Sequence, residues 1–228
     1  MKFFFEWDFA RAGQELKNAV ALNPNYATAY QAHSVPLGAM KRYDDSVAEA
    51  RRGLEVDPLS TPVNNIVGEL ISTARQWPQA IEPYRRTIEL DPYVALVHDN
   101  LGIALEEIGD HDQAIEEYVK GRSVSGDDNF RPEALRSASQ KHGMRGFREK
   151  QPQLALEHWT GWHMHAFQIA SLYARLADPA LAMAWLQKAA EARSGMLTWL
   201  RMYADFEDIL FTLGISAPCA THWPARLG

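Results

Sequence analysis

The chain has 228 residues, of which 46% are hydrophobic and 23% charged, the composition of a folded soluble protein with room for one large domain or two small ones. Its formal charge of −6 argues against a polyanion-binding surface, because nucleic-acid affinity rests largely on clustered Lys and Arg that release counterions from phosphates, so no nucleic acid is expected as a partner. The single cysteine, Cys219, cannot close an internal disulfide, which points to a reducing compartment and a cytoplasmic protein.

The first residues, "MKFFFEWDF", carry an aromatic run interrupted by Glu6 and Asp8. The apolar core is too short for a signal peptide, and a membrane span needs about 20 apolar residues, so no membrane partner is expected. Further along, "LNPNYATAY", "VDPLSTPVN" and "LDPYVALVH" place an apolar residue, an Asn or Asp and a Pro in the same order at Pro24, Pro58 and Pro92, a spacing of 34 residues. A fixed period of this size marks a repeat architecture. Numbering each unit so that its proline is position 32 gives units at 27–60, 61–94 and 95–128. Position 8 is then Ser34, Gly68 and Gly102; position 20 is Ser46, Ala80 and Ala114; position 24 is Ala50, Tyr84 and Tyr118; position 27 is Gly53, Thr87 and Gly121. Small residues at 8, 20 and 27 let two antiparallel helices approach closely, and a large residue at 24 fills the space between neighbouring units.

Within the third unit, Leu101, Ile103, Ala104, Leu105 and Ile108 recur at helical spacing, "GDHD" turns the chain, and Ala114, Ile115, Tyr118 and Val119 follow with the same period. Asp110 is placed to cap the second helix. Each Asn-Pro or Asp-Pro ends one hairpin, since proline lacks an N–H and disfavours helical geometry in the residue before it.

These residues resemble the tetratricopeptide repeat, most closely in "NLGIALEEIGDHDQAIEEYVKG" from Asn100. The resemblance implies an all-α fold, a right-handed superhelix of antiparallel helix pairs. Three features depart from the family pattern: Asn64 and His98 replace the bulky aromatic that Tyr30 supplies at position 4, Pro62 falls in a first helical turn, and Pro83 falls in a helix body, where a bend is expected. Beyond the third unit, "FRPEALRSASQKHGMRGFREKQPQLALEHW" reads as a divergent helix pair broken around Gly143 to Gly146. A further hairpin places Ala170, Tyr173, Ala182, Leu186 and Ala189 at positions 8, 11, 20, 24 and 27. The expected organisation is repeats over 1–128, the divergent pair with the extra hairpin and capping helices over 129–214, and a tail over 215–228. The segment "ARSGMLTWLRMYADFEDIL" resembles the ending of repeat regions in bacterial multidomain regulators, although no DNA-binding, kinase or cyclase domain is read here.

Catalysis finds little support. His158, His163 and His165 lack the further ligands of a zinc site, so no metal and no cofactor are expected. Cys219 with His222 lies in a Pro-containing tail, and no Gly-rich phosphate loop occurs. The expectation is a non-catalytic scaffold that binds a partner protein or peptide. The alternative is the regulatory repeat portion of a bacterial transcriptional or signalling regulator.

The family resemblance implies partner contacts at positions 2, 5, 9 and 12 of each first helix, on the concave face. Carried over, these include Gln31, Asn65, Glu69, Asp99, Ile103 and Glu106. The face holds three carboxylates and no Lys or Arg, unlike chaperone-binding members that clamp a terminal carboxylate with basic residues. A neutral or basic segment with an apolar anchor fits it, and reversing the three acids to Lys is expected to leave folding nearly intact. Counting back from Pro24, the first unit lacks most of its leading helix. Phe4, Phe5, Trp7 and Phe9 are therefore expected to form an apolar end-face for self-association or for docking of a missing domain of a longer parent protein, the alternative being that these aromatics fold back on Tyr26 to Tyr30.

Overall fold

The computed structural model describes residues 9–125, 131–157 and 163–192, together with Ser194, Met196, Leu197, Leu200, Phe206 and Ile209. Among these residues the fold is all-α. Its helices are α1 (Phe9–Leu22), α2 (Ala27–Ala39), α3 (Tyr43–Val56), α4 (Thr61–Thr73), α5 (Trp77–Leu90), α6 (Ala95–Glu107), α7 (His111–Val124), α8 (Pro132–Glu157), α9 (His163–Arg175) and α10 (Pro179–Glu191). The chain divides into two compact units, Asp8–Asp128 and one that contains Asn129–Gly228.

In the first unit, α2 pairs with α3, α4 with α5 and α6 with α7, and the leading helices α2, α4 and α6 also pack directly on one another. The small residues explain the closeness. A Cβ added to Gly68 would lie 2.6 Å from the Tyr84 ring, and one added to Gly102 would lie 2.8 Å from the Tyr118 ring. In the first pair the sizes are exchanged: Ala50 leaves room for Ser34, whose carbonyl accepts from Ser46 Oγ at 2.7 Å. Val63, Ile66, Leu70, Tyr84, Val97, Leu101 and Leu105 are buried between these layers.

The repeat-ending motif does more than stop a helix. Asn23, Asp57 and Asp91 each accept, through Oδ1, the backbone N–H two residues on, at 3.3, 3.1 and 3.0 Å. Side chains of this kind set local turns. The proline carbonyl then receives position 4 of the next unit: Tyr30 Oη donates to Pro24 O at 3.0 Å, Asn64 Nδ2 to Pro58 O at 3.1 Å, and His98 Nε2 meets Pro92 O at 3.1 Å. Three unlike residues thus perform one task. Pro62 occupies the first turn of α4, where its missing N–H costs nothing. Pro83 lies inside α5, which runs through without a break.

In the second unit, α8 is divided by non-helical backbone at His142 and Gly143, with Gly143 at φ 62° and ψ −155°. The chain then doubles back so tightly that a Cβ at Gly146 would lie 2.5 Å from the Ala138 carbonyl oxygen. Helices α9 and α10 pair as the earlier hairpins do, burying Ala170, Ala182, Leu186 and Ala189 completely. Phe167 and Phe206 pack with ring centroids 5.4 Å apart. Asp110 and Asp178, at the same register position, cap α7 and α10 by accepting from Gln113 N–H and Leu181 N–H.

Candidate partner-binding face

The first helices α2, α4 and α6 carry the residues that the repeat register assigns to partner contact. Gln31, Asn65 and Asp99 occupy position 5 on successive helices and are half-buried, as is Ile103 on α6. Between α4 and α6 a polar cluster links neighbouring units: Asn65 Nδ2 donates to Glu69 Oε1 at 2.9 Å, and Asn100 Nδ2 donates to the same oxygen at 3.2 Å. Burial pushes the Glu69 carboxyl above the usual carboxylate range, opposed by the two amide donors. Asn65 Oδ1 is itself buried without a hydrogen-bond partner.

Glu106 stands differently from the open position that its register implied. It is only 5% exposed, and Tyr118 Oη donates to its Oε2 at 2.6 Å. One unit earlier, Ser72 and Tyr84 Oη make the equivalent contact at 3.0 Å. Position 12 therefore faces position 24 of its own hairpin, and its polarity follows the hydroxyl there. In the first hairpin, where position 24 is Ala50 and has no hydroxyl, position 12 is Gly38. Placing Lys at Glu69 or Glu106 would bury an unmatched charge, against the expectation that reversing the three acids leaves folding nearly intact.

Two histidine–carboxylate pairs fasten hairpins and were not foreseen. His33 Nδ1 and Glu49 Oε1 lie 2.9 Å apart, and His98 Nδ1 and Glu117 Oε2 lie 2.7 Å apart. Arg52 adds a second contact to Glu49, and Lys120 one to Glu117, three residues along the helix in both cases. The signal in the sequence is Glu at position 23 with a cation at 26. The Glu117 hydrogen bond holds the His98 imidazole protonated to higher pH than usual, against the pull of burial. Burial pushes Glu117 the other way, but the donors on His98 and Lys120 outweigh it and hold the carboxyl below its usual range.

Phe4, Phe5 and Trp7 lie outside the described residues, and of Phe9 only the backbone, at the start of α1, is described. His158, Cys219 and His222 also lie outside them, while His163 and His165 open α9 with side chains not described. Among the described residues no group of three His, Cys, Asp or Glu is arranged to hold a metal ion, and no helix is long and apolar enough to cross a membrane.

A family model for the tetratricopeptide repeat matches residues 166–195, which span most of α9 and all of α10. No match is found among curated protein sequences. Among solved structures, the chain is similar to that described as "YrrB: a TPR protein with an unusual peptide-binding site", at 17% identity over 82% of this chain and 97% of that one, with a TM-score of 0.51. It is also similar to a MamA RS-1 ArsTM double mutant, at 14% identity over 84% and 89% of the two chains, with a TM-score of 0.50. A third similarity is to Naa15/Naa10 bound to HypK-THB, at 16% identity over 99% of this chain and 34% of that one, with a TM-score of 0.51. At such identities the likeness concerns the fold alone. The consecutive antiparallel helix pairs are those of a tetratricopeptide-repeat solenoid, and the last pair carries a repeat that the family model matches.

Proposed function

We propose that the protein is a non-catalytic interaction scaffold that binds a protein or peptide segment along the face of α2, α4 and α6. The observation that carries this reading is the position-5 row Gln31, Asn65 and Asp99, with Ile103 beside it, on helices that pack directly against one another. Such a row repeats a polar side chain at one register along the stack, with an apolar side chain beside it. The peptide-binding site named for the YrrB structure supports the same use of the fold. None of the contact positions carries Lys or Arg, so the favoured segment is neutral or basic with an apolar anchor.

Selection of a random peptide library on the purified protein tests this. Recovered peptides should share Lys or Arg beside an aliphatic or aromatic residue. A Gln31→Ala/Asp99→Asn/Ile103→Ala variant should lose them by about tenfold or more in affinity, with its helicity unchanged. Recovery of acidic peptides, or equal binding by the triple variant, would overturn the reading.

A further inference from the structure

Single exposed apolar side chains are ordinary on protein surfaces, but a row of them at a fixed structural position is not. Among the described residues of Asp8–Asp128, four of the seven exposed large hydrophobic residues gather at the three turns that join one hairpin to the next. Leu22 and Tyr26 flank the first turn at 87% and 53% exposure, Leu59 stands on the second at 63%, and Tyr93 marks the third at 79%. Leu59 and Tyr93 occupy the same register position, directly after the proline. Each is held out by its own turn, because the Asp57 and Asp91 carboxylates accept the N–H groups of Leu59 and Tyr93. Backbone ordered in this way has already lost conformational freedom that binding would otherwise remove.

We propose that this edge, distinct from the face of α2, α4 and α6, docks a basic amphipathic helix of a partner protein. The charge comes from the turns themselves. Residues 22–27, 56–61 and 90–95 contain Asp57 and Asp91 and not one Lys, Arg or His. An apolar row with a carboxylate at two of its three turns complements apolar residues flanked by cations.

Geometry selects the helix. Since α2, α4 and α6 pack directly, successive turns lie about 10 Å apart. In an extended segment that distance is about three residues, an odd number, so successive anchors would point to opposite sides. In a helix it is about seven residues, two turns, and the same face returns. Three turns then engage about 15 residues of helix, with apolar positions at i, i+7 and i+14 filled in at i+3 or i+4.

The test uses the full chain and a labelled Leu/Lys peptide of about 18 residues with all Leu on one helical face, followed by fluorescence anisotropy. Two controls are a peptide with Glu in place of every Lys and one of the same composition with Leu and Lys alternating. The helical Lys peptide should bind, the Glu peptide should not, and the alternating peptide should bind more weakly. Leu59→Ser/Tyr93→Ser should weaken binding about tenfold or more. Asp57→Asn/Asp91→Asn, which keeps the turn acceptors, should weaken it about threefold and flatten its salt dependence. Absence of binding, binding indifferent to both double variants, or tighter binding of the alternating peptide would overturn the proposal. So would a wild-type dimer that Leu59→Ser/Tyr93→Ser converts to monomer, since a second copy would then be the occupant.

Discussion

At the scale of single residues, the turn inside each hairpin holds a conformation that the sequence spells out only once. Lys41, Arg75, Gly109 and Ala177 all sit at position 15, and their φ values are 62°, 57°, 85° and 55°. Glycine enters this region freely, whereas other residues pay roughly 1–2 kcal/mol for it. Gly109 alone displays the requirement in the residue type, which is why the sequence did not reveal a shared backbone state. Ala177 offers the cleanest test, having no side chain beyond Cβ to lose. Ala177→Gly should stabilise the protein by about 0.5–1 kcal/mol after the extra unfolded-state entropy of glycine is deducted. Gly109→Ala should cost a similar amount, and urea titrations of both variants would show opposite shifts in midpoint. A fall in stability for Ala177→Gly would mean that the position-15 geometry carries no strain.

At the scale of the helix pair, packing rests on a reciprocal choice of sizes at positions 8 and 24. Gly68 with Tyr84 and Gly102 with Tyr118 are one solution, and Ser34 with Ala50 is the other. Gly68→Ser should therefore drive its side chain into the Tyr84 ring and cost about 1–3 kcal/mol, while Tyr84→Ala should open a cavity costing about 3–5 kcal/mol. Combining them recreates the pattern of the first hairpin. The double variant should lose less than the sum of the singles by more than about 1 kcal/mol, measured as a cycle by denaturant unfolding; strict additivity would mean that the two positions do not meet. This level of the fold was largely readable, because small residues recurring every 34 positions and apolar residues at helical period both follow from close helix contact. Position 4 was harder to read. Tyr30, Asn64 and His98 share no size or hydrophobicity, only a donor able to reach a carbonyl six residues back.

For the molecule as a whole, the face of α2, α4 and α6 was legible as a register but not as an accessible surface. Position counting puts Glu69 and Glu106 beside Asp99, yet Asn100 of the next unit covers the first and Tyr118 of the same hairpin covers the second. A helical period gives direction around one axis and says nothing of the neighbour that closes over it. The same closures give the protein a pH response whose sign is fixed by its buried groups. Both nitrogens of His98 face acceptors, the Glu117 carboxylate and the Pro92 carbonyl, so the arrangement is complete when the ring is an imidazolium. Its pKa is raised, so this contribution is fully present below the ordinary histidine value of 6.5 and is lost as pH climbs through the raised one. Glu117 is lowered, so its contribution is present above 4.5 and is lost only as pH falls through the depressed value. Glu69, raised by burial, adds to the loss of stability as pH rises from 4.5 through its folded value. Stability should thus decline from weakly acid toward alkaline pH, with a separate fall in strong acid. Thermal melts of wild type and His98→Asn across this range isolate the first effect, because asparagine already reaches the proline carbonyl at the same position in the preceding unit. The variant should be less stable than wild type below pH 6.5, and the gap should narrow steadily toward alkaline pH. A gap that stays constant with pH would show that the His98–Glu117 contact contributes through packing rather than through charge.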